Sequence, residues 1–215
     1  FGVLIEPTKD TRFGVSVKTR TNANLSGSYT AENPVVIPGN GINITSGKAS
    51  AKIVLPTTIT LSGSYNATQK LTLYADYIRT NWSSVSALTL RTPAGDSTIV
   101  GGWEDSNFFS IGADYKCTDR LTVRGGLGFD YTPTRTDNPN GVPSRVPGIP
   151  DSNKIWLAVG GSYEVNAWKF SMSYGHEFFR NADIKQPAAT GRKPALNGQI
   201  KEHVDLVSFQ INYRF

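Results

Sequence analysis

Residues 121–131 read Leu121-Thr122-Val123-Arg124-Gly125-Gly126-Leu127-Gly128-Phe129-Asp130-Tyr131. Apolar residues and one glycine occupy the odd positions, while Thr122, Arg124 and Asp130 stand among glycines at the even ones. A period of two places alternate side chains on opposite faces of a β-strand. The stretch is about twice as long as the mean strand of soluble proteins. It matches the roughly 9–11 residues that a tilted strand needs to cross a bilayer.

Eight further segments alternate in the same way, at about 1–6, 11–29, 48–65, 71–90, 103–116, 153–164, 168–178 and 201–215. A helical period is absent from all of them, and their Pro and Gly residues disfavour helices. Pro56 falls inside the segment 48–65, where it predicts a bulge or a missing ladder hydrogen bond. We therefore expect an all-β fold with about nine strands.

The connections between these segments alternate strictly in length. Short turns follow the first, third, fifth and seventh segments, and long loops follow the second, fourth, sixth and eighth, at about 30–47, 91–102, 132–152 and 179–200. Bacterial outer-membrane barrels have short periplasmic turns and long extracellular loops, whereas a β-sandwich has no reason to sort its loops. The pattern predicts an antiparallel transmembrane β-barrel in the outer membrane, with the C-terminus on the periplasmic side.

The two faces of the segments fit a barrel wall. Aromatic residues stand near strand ends on the apolar face, where interfacial girdles would place them: Tyr65, Tyr77, Tyr115, Tyr131, Tyr163, Tyr213 and Phe215. Charged residues occupy the other face, and exposure of charge to lipid is costly. This polar face is therefore expected to line the lumen.

An odd number of strands makes the first and last strands parallel, so nine strands cannot close as an antiparallel barrel. Open strand edges are not tolerated in lipid. We therefore expect residues 1–215 to form a single domain that is the C-terminal part of a larger barrel, with strands missing at the N-terminus.

Composition excludes several other classes. No stretch approaches the roughly 18–20 continuous apolar residues of a transmembrane helix. The net charge of +5 is scattered, which gives no nucleic-acid patch, and the lone Cys117 offers neither a disulfide nor a metal cluster. No cofactor is expected. His176 and His203 are the only histidines and no G-x-S-x-G elbow is present, so we predict no catalytic site and interpret His176 as an interfacial polar residue.

The stretch 145–157, Arg145-Val146-Pro147-Gly148-Ile149-Pro150-Asp151-Ser152-Asn153-Lys154-Ile155-Trp156-Leu157, resembles a motif of the FadL-type outer-membrane transporters. Lys154 stands where the family often has Arg. The residues that carry the motif are Arg145, Pro147, Ile149, Pro150, Asp151 and Trp156. Supporting stretches are 11–16, Leu55-Pro56, Trp82-Ser83-Ser84 and 124–130.

This resemblance implies a fourteen-stranded barrel plugged by an N-terminal hatch, of which the chain would hold the last nine strands. It implies passive transport of hydrophobic molecules, either long-chain fatty acids or aromatic and aliphatic hydrocarbons. The terminal residues Phe209, Ile211, Tyr213 and Phe215 resemble the signal read by the barrel-assembly machinery. Expected partners are that machinery, outer-membrane lipid and lipopolysaccharide, and a hydrophobic ligand; the full-length protein is expected to be a monomer.

A fatty acid needs a cationic anchor for its carboxylate beside an apolar groove. The candidate anchors are Lys116, Arg124 and Lys169 in the lumen and Arg145 and Lys154 on the extracellular side. Pairing with Asp114, Asp130 or Glu164 is the alternative for the lumen cations, and attraction to lipopolysaccharide phosphates is the alternative for the outer ones. Two other functions stay open: a general diffusion porin, and a surface adhesin or receptor acting through loops 132–152 and 179–200.

Overall fold

The computed structural model describes residues 1–30, 35–37, 42–44, 46–85, 87–92, 95–136, 145, 149–186 and 196–215. Within these ranges the chain forms β-strands and one 3₁₀ turn at Trp82–Ser84. In chain order the strands are β1 (Gly2–Ile5), β2 (Thr11–Lys18), β3 (Thr21–Tyr29), β4 (Val35–Ile37), β5 (Ile42–Ile44), β6 (Gly47–Leu55), β7 (Thr58–Asn66), β8 (Leu71–Thr80), β9 (Ala87–Thr92), β10 (Gly95–Val100), β11 (Ser106–Lys116), β12 (Leu121–Tyr131), β13 (Lys154–Val165), β14 (Trp168–Phe179), β15 (Ala182–Gln186), β16 (Leu196–Ile200) and β17 (His203–Tyr213).

The largest sheet has nine antiparallel strands in the order β1-β2-β7-β8-β11-β12-β13-β14-β17. Each of the nine predicted segments contributes one strand to it, which confirms the all-β antiparallel prediction. Strands that follow one another across a short turn are always neighbours in this sheet. Within the described residues β1 and β17 each pair on one side only, so the sheet is not closed on itself.

The short turns use threonine side chains to satisfy backbone groups. In the turn between β7 and β8, Thr68 Oγ1 accepts hydrogen bonds from the backbone N–H groups of Lys70, at 3.1 Å, and Leu71, at 3.0 Å. Thr118 accepts the equivalent pair in the turn between β11 and β12. A hydroxyl that bonds its own local backbone favours a tight turn over a continued strand. The nine-stranded sheet therefore has a short-turn end and a long-loop end.

Three predicted strands were too long. The segments 11–29, 48–65 and 71–90 each contain two strands, because their alternation continues beyond the nine-stranded sheet. The outer parts, β3, β6 and β9, join β10 in a separate four-stranded sheet with the order β10-β9-β6-β3. The predicted long loops also hold strands: β10 lies in 91–102, the hairpin β15–β16 in 179–200, and β4–β5 in 30–47.

One antiparallel ladder runs through both sheets. It pairs Thr11 with Tyr65 and Lys18 with Thr58 in the large sheet, then Thr21 with Leu55 in the small one, in an unchanged register. The break between the two parts falls at Pro56 and Thr57. Proline has no N–H to donate, so Pro56 removes a ladder bond without adding a bulge. Even-numbered residues, which lie on the polar face of β2, therefore lie on the same face in β3.

The apolar face of the nine-stranded sheet is exposed. Ile111 and Met172 are each 60% exposed and Phe209 is 63% exposed. Within the described residues, a buried hydrophobic core is limited to Val85, Ala182 and Ile184. A sheet with so little core must bury its apolar face against something other than the chain itself, and lipid is the medium that fits. Among the described residues, no helix is both long and apolar enough to cross a bilayer.

Candidate functional site

The middle of the polar face carries a charge pair on adjacent strands. Arg124 on β12 lies opposite Asp114 on β11, and Arg124 Nε is 3.6 Å from Asp114 Oδ1. Arg124 Nη2 donates a hydrogen bond of 2.9 Å to Ser162 Oγ on β13, and Ser171 on β14 donates to the same oxygen at 3.1 Å. The polar network therefore spans four strands, and a carboxylate ligand at Arg124 would compete with Asp114.

The two other predicted lumen anchors lie at the short-turn end. Lys169 Nζ is 3.1 Å from Glu164 Oε1 across the β13–β14 hairpin, and both side chains are about half exposed. Lys116, the last residue of β11, forms no ion pair with any described residue. Of the three lumen cations, Lys116 is thus the one without a carboxylate partner in the part of the chain that the structure describes.

Lys154 lies at the long-loop end of β13, between two carboxylates. Its Nζ is 2.7 Å from Asp151 Oδ1 and 3.3 Å from Asp130 Oδ2, and 5.1 Å from the centre of the Phe179 ring. The side chain is only 12% exposed. Because two carboxylates already neutralise this ammonium group, a ligand carboxylate would have to displace Asp130 or Asp151.

Arg145 is buried, with 8% of its surface exposed. Its Nε donates a 2.8 Å hydrogen bond to the carbonyl oxygen of Asp151, and its Nη1 donates to Thr136 Oγ1 and, at 3.4 Å, to the carbonyl of Asp183. Nη2 donates to the carbonyl of Thr134 at 3.4 Å. Burial lowers the pKa of Arg145, while the carboxylates of Asp151 and Asp183 act against that shift. The guanidinium therefore ties the loop after β12 to the hairpin β15–β16, and its role as a ligand anchor stays a prediction.

The remaining motif residues surround this connection. Pro147 lies outside the described residues, while Ile149 and Pro150 are half-buried. Asp151 accepts a 2.5 Å hydrogen bond from Thr132 Oγ1. Trp156, on the polar face of β13, contacts Phe108 edge to face, with ring centroids 6.3 Å apart. The motif thus combines a loop anchor with one aromatic wall residue.

Aromatic rings interrupt the polar face at its long-loop end. Phe108 leans over Gly128 toward Trp156: a Cβ placed on Gly128 would lie 2.9 Å from Phe108 Cζ and 3.2 Å from Trp156 Cβ. Ile78 is the cross-strand neighbour of Phe108. We call Ile78, Phe108, Gly128 and Trp156 the aromatic recess.

A cavity of about 420 Å³ lies at the same end, where Phe129, Tyr131 and Phe178 of the apolar face line it together with Lys154 and Phe179 of the polar face. Its size falls in the range of small-molecule pockets, about 300–1,000 Å³. The cavity therefore lies at the edge of the wall, between the lipid-facing aromatic rings and the ion-paired Lys154.

His176 lies on the apolar face, not in the recess. Its Nδ1 is 2.7 Å from Asp205 Oδ1, and the Tyr174 hydroxyl donates to the same oxygen at 2.6 Å. His203 stacks near it, with ring centroids 6.3 Å apart. The described residues contain no cluster of three or more His, Cys, Asp and Glu side chains that could hold a metal ion.

The predicted assembly signal forms an exposed stripe along β17. Phe209, Ile211 and Tyr213 occupy alternate positions and are each about half to two-thirds exposed. Tyr213 contacts Trp168 of β14, with ring centroids 4.6 Å apart, and Phe215 edge to face at 5.2 Å. The stripe therefore ends in a cluster of aromatic side chains, Trp168, Tyr213 and Phe215, at the short-turn end of the sheet.

Sequence reasoning missed the recess and one further group. Phe108 occupies a position on the polar face of β11. Its contact with Trp156 depends on the register between β11, β12 and β13, which the alternation of apolar and polar residues alone does not determine. The missed group is cationic: Lys52 and Arg91 lie on the small sheet, and Arg20 directly precedes β3. A plot of charge along β3, β6 and β9 would have shown these residues, had the segments been divided correctly.

Long antiparallel strands with an exposed apolar face and an ion-paired polar face define a transmembrane β-barrel wall. The chain belongs to the family described as outer membrane protein transport protein (OMPP1/FadL/TodX), which it matches over residues 1–215. It is therefore part of an integral outer-membrane protein.

Curated relatives support this assignment. The 47 kDa outer membrane protein of Pasteurella multocida is 26% identical over 223 residues, covering 100% of this chain and 49% of that protein. The long-chain fatty acid transport protein of Salmonella typhi is 24% identical over 192 residues, covering 86% of this chain and 42% of that protein. The chain thus spans about half the length of the curated relatives it matches.

Solved structures share the fold. A Pseudomonas aeruginosa FadL homologue superposes with a TM-score of 0.82 at 22% identity, covering 99% of this chain and 51% of that one. The toluene transporter TbuX of Ralstonia pickettii gives a TM-score of 0.66 at 20% identity, covering 99% and 46%. At these identities the likeness concerns the fold alone.

Proposed function

We propose that this chain forms part of a barrel that passes hydrophobic molecules, long-chain fatty acids or aromatic and aliphatic hydrocarbons, across the outer membrane without an energy source. The observation that carries the proposal is the aromatic recess, because an open water-filled pore has no use for apolar rings on its polar face. Burial of an alkyl chain or ring against Phe108 and Trp156 supplies the driving force, at roughly 25 cal/mol per Å². The names of the fatty acid and toluene transporters among the relatives are consistent with this ligand class.

The nine strands are, in this proposal, the C-terminal part of a larger barrel. Strand β1 and strand β17 pair on one side only, and lipid does not tolerate open edges. Further strands and a hatch would close and plug the wall. This prediction is tested by proteolysis of the protein of full natural length in outer-membrane vesicles, with the protected fragments identified by mass spectrometry. A protected barrel larger than this sheet is expected. A protease-resistant unit of only nine strands would contradict the prediction.

The partner and activity predictions are part of the same proposal. The exposed stripe Phe209, Ile211, Tyr213 and Phe215 would be read by the barrel-assembly machinery, and the long-loop end of the wall would meet lipopolysaccharide. The full-length protein would be a monomer and would bind no nucleic acid. It would catalyse no reaction, and His176, which lies on the apolar face beside Asp205, would serve as an interfacial polar residue.

The test is ligand binding by the protein of full natural length in detergent micelles. A fluorescent hydrophobic probe is titrated against the wild type, Phe108→Ala and Phe13→Ala. Phe13 is exposed on the apolar face of β2, so its variant is the matched control. Removing Phe108 is expected to weaken probe binding by about fivefold, because it removes apolar contact area, and Phe13→Ala should bind like the wild type. Equal affinity for all three proteins would contradict the proposal.

Two rival functions give different outcomes. A general diffusion porin would show steady ion conductance in planar bilayers and no saturable probe binding. A surface adhesin or receptor would lose partner binding when loops 132–152 and 179–200 are shortened, while probe binding would not depend on Phe108. The proposed transporter should show almost no ion conductance, and its binding of the hydrophobic probe should depend on Phe108.

A further inference from the structure

The cavity of about 420 Å³ at the long-loop end opens on the lipid-facing side of the wall. Two rows of residues on that side border it: Phe129, Ile155 and Phe178 in one row, and Tyr131, Asn153 and Arg180 in the next row outward. The row between them consists of Asp130, Lys154 and Phe179, whose side chains meet on the polar face. This middle row therefore leaves a depression on the lipid side, which we call the lipid-side groove.

The depth of the groove in the membrane follows from the length of β14. Trp168 belongs to the aromatic cluster at the short-turn end, and Phe178 lies ten residues farther along the same face of the strand. Ten residues of a strand tilted by about 45° rise roughly 24 Å, which is close to the height of about 25 Å of the apolar band on barrel walls. Phe178 therefore lies at the outer boundary of the hydrocarbon, and Arg180 lies one step beyond it, at the level of lipid head groups.

The groove has the shape of a short channel for one acyl chain. Strands β12 and β14 flank β13, so their backbones are roughly 9–10 Å apart, and Phe129 and Phe178 are the ladder neighbours of Ile155 on either side. All three side chains are about half exposed. Within a bilayer, contact with these side chains adds packing and no hydrophobic free energy. The channel therefore orients a chain, and the affinity must come from the head group.

Arg180 offers a cation at the outer end of this channel. Its backbone is fixed, because its N–H donates a 2.9 Å hydrogen bond to the carbonyl of Asn153 and its own carbonyl accepts one from Ser152 Oγ. Its side chain is exposed and forms no ion pair with any described residue. A planar guanidinium on a fixed backbone suits the bidentate recognition of a phosphate.

A second cation lies near Arg180. Lys201 is two residues before His203, the ladder partner of Phe178, and it is also exposed and without an ion pair among the described residues. Arg79, on the lipid-facing side of β8, differs from both, because its Nη2 is 2.9 Å from Asp105 Oδ2. The positive charge available to an anionic head group on this side of the wall is therefore concentrated beside the lipid-side groove.

We propose that the lipid-side groove binds an acylated, phosphate-bearing lipid of the outer leaflet, namely the lipid A part of lipopolysaccharide. Arg180 and Lys201 contact a phosphate, and one acyl chain lies over Ile155. This inference rests on the proposed function, which gives lipopolysaccharide as a partner, and it names the surface that makes the contact. A transported molecule would not reach this site from the lumen, because the sheet itself separates the groove from the polar face.

The test titrates lipid A and dephosphorylated lipid A against the protein of full natural length in nonionic detergent, with bound lipid counted by native mass spectrometry. The groove variant carries Arg180→Gln and Lys201→Gln. The control carries Lys70→Gln and Arg120→Gln, two exposed short-turn residues with the same total change of charge. The groove variant is expected to bind lipid A about tenfold more weakly and dephosphorylated lipid A unchanged, whereas the control should bind both lipids like the wild type.

A second pair of variants tests the position of the acyl chain. Ile155→Trp fills the channel between the two rings, so it should weaken the binding of both lipids by about threefold. Val159→Trp, four residues along the same face of β13, should bind both lipids like the wild type. Ile155 and Val159 are each about half exposed on the lipid side, so in either variant the larger ring extends into lipid and not into a packed core.

The inference is overturned if the groove variant binds lipid A as tightly as the wild type, if it loses both lipids equally, or if the control loses as much. The titration with the hydrophobic probe separates this inference from the proposed function. A wild type that binds lipid A but no probe would contradict transport and leave the groove assigned. Binding of the probe that depends on Phe108, without binding of lipid A, would do the reverse.

Discussion

The wall of the barrel and the small sheet above it are built on the same hairpin ladder, yet they treat charge differently. In the wall, Arg124 is matched by Asp114, and Lys154 by Asp130 and Asp151. In the small sheet, Arg20 and Lys52 have no carboxylate partner among the described residues. Both regions alternate apolar and polar residues, so alternation does not explain the difference.

The difference follows from the medium on the far side of each sheet. A wall bounded by lipid has few waters to solvate a charge in its middle, so Arg124 and the largely buried Lys154 on its polar face are stabilised by nearby carboxylates. A sheet in water solvates its cations directly. Neutralising an ion-paired wall cation such as Lys154 should therefore cost stability, and neutralising an unpaired cation such as Lys52 should not.

The largest effect is expected for Lys154→Met. Removal of the ammonium group leaves Asp130 and Asp151 close together in a site where Lys154 is 12% exposed, and breaking such a buried cluster costs about 3 kcal/mol. Urea unfolding in detergent micelles at neutral pH, followed by tryptophan fluorescence, measures this loss. Lys116→Met, which breaks no ion pair with a described residue, is the control.

Adding Asp130→Asn and Asp151→Asn to Lys154→Met should restore part of the lost stability, because the uncompensated negative charge is then absent. A Lys154→Met protein as stable as the wild type would show that water in the lumen solvates these acids. The wall and the small sheet would then not differ in the way proposed.

A smaller loss is expected for Gly128→Ala in the aromatic recess. The new methyl group would lie 2.9 Å from Phe108 Cζ and 3.2 Å from Trp156 Cβ, so Phe108 must move, at a cost of about 1–2 kcal/mol. Near-UV circular dichroism should report the altered surroundings of Trp156. Gly14→Ala is the control, since its Cβ would meet Ser62 Cβ at an ordinary 3.7 Å; an equal response of both variants would mean that the recess is not tightly packed.

How much the sequence predicts differs between the two regions. The strands and the two faces of the wall follow from a period of two, which is why each of the nine predicted segments contributes one wall strand, although three of the segments extend beyond the wall. The small sheet is not predicted, because the alternation of β2 runs into β3 and only Pro56 marks the border. The strands continue beyond the bilayer without a change in their alternation of apolar and polar residues, so the sequence does not show where the wall ends.

The candidate site is predicted less well than the fold. Residue type alone identifies Lys154 and Arg145 as cations near the long-loop end, but their partners come from other strands and loops. Asp130 reaches Lys154 across a ladder, and the carbonyl of Asp183 reaches Arg145 from a hairpin that the sequence suggested was a loop. Cross-strand partners depend on the register between neighbouring strands. A register shift of two residues would leave every side chain on the same face of the sheet but would change every cross-strand pair.

A still smaller effect concerns Asp105, which holds the 3₁₀ turn between the two sheets. Burial would raise the pKa of Asp105, but hydrogen bonds from Ser83 and Arg79 outweigh it and lower the pKa. Ser83 N donates to Oδ1 at 3.1 Å and Arg79 Nη2 to Oδ2 at 2.9 Å. The stabilisation is therefore complete above the unfolded pKa of about 3.9 and is lost as pH falls through the lower folded value.

Asp105→Asn should reduce the free energy of unfolding by about 1 kcal/mol at neutral pH. The difference from the wild type should shrink as the pH approaches about 3. Paired urea titrations at the two pH values measure both quantities. A pH-independent difference would mean that the amide disturbs the turn by shape and not by loss of charge.

The smallest effect on stability is expected for Lys52→Gln on the small sheet. Lys52 forms no ion pair with any described residue, so its removal leaves no carboxylate uncompensated, and the free energy of unfolding should change by less than about 0.5 kcal/mol. The same urea titration used for Lys154→Met measures it, which places the two lysines on one scale. A loss above about 1 kcal/mol would show that Lys52 supports the small sheet. Stability unchanged by Lys52→Gln but lowered by Lys154→Met would instead separate ion-paired cations that stabilise the wall from unpaired cations of the small sheet.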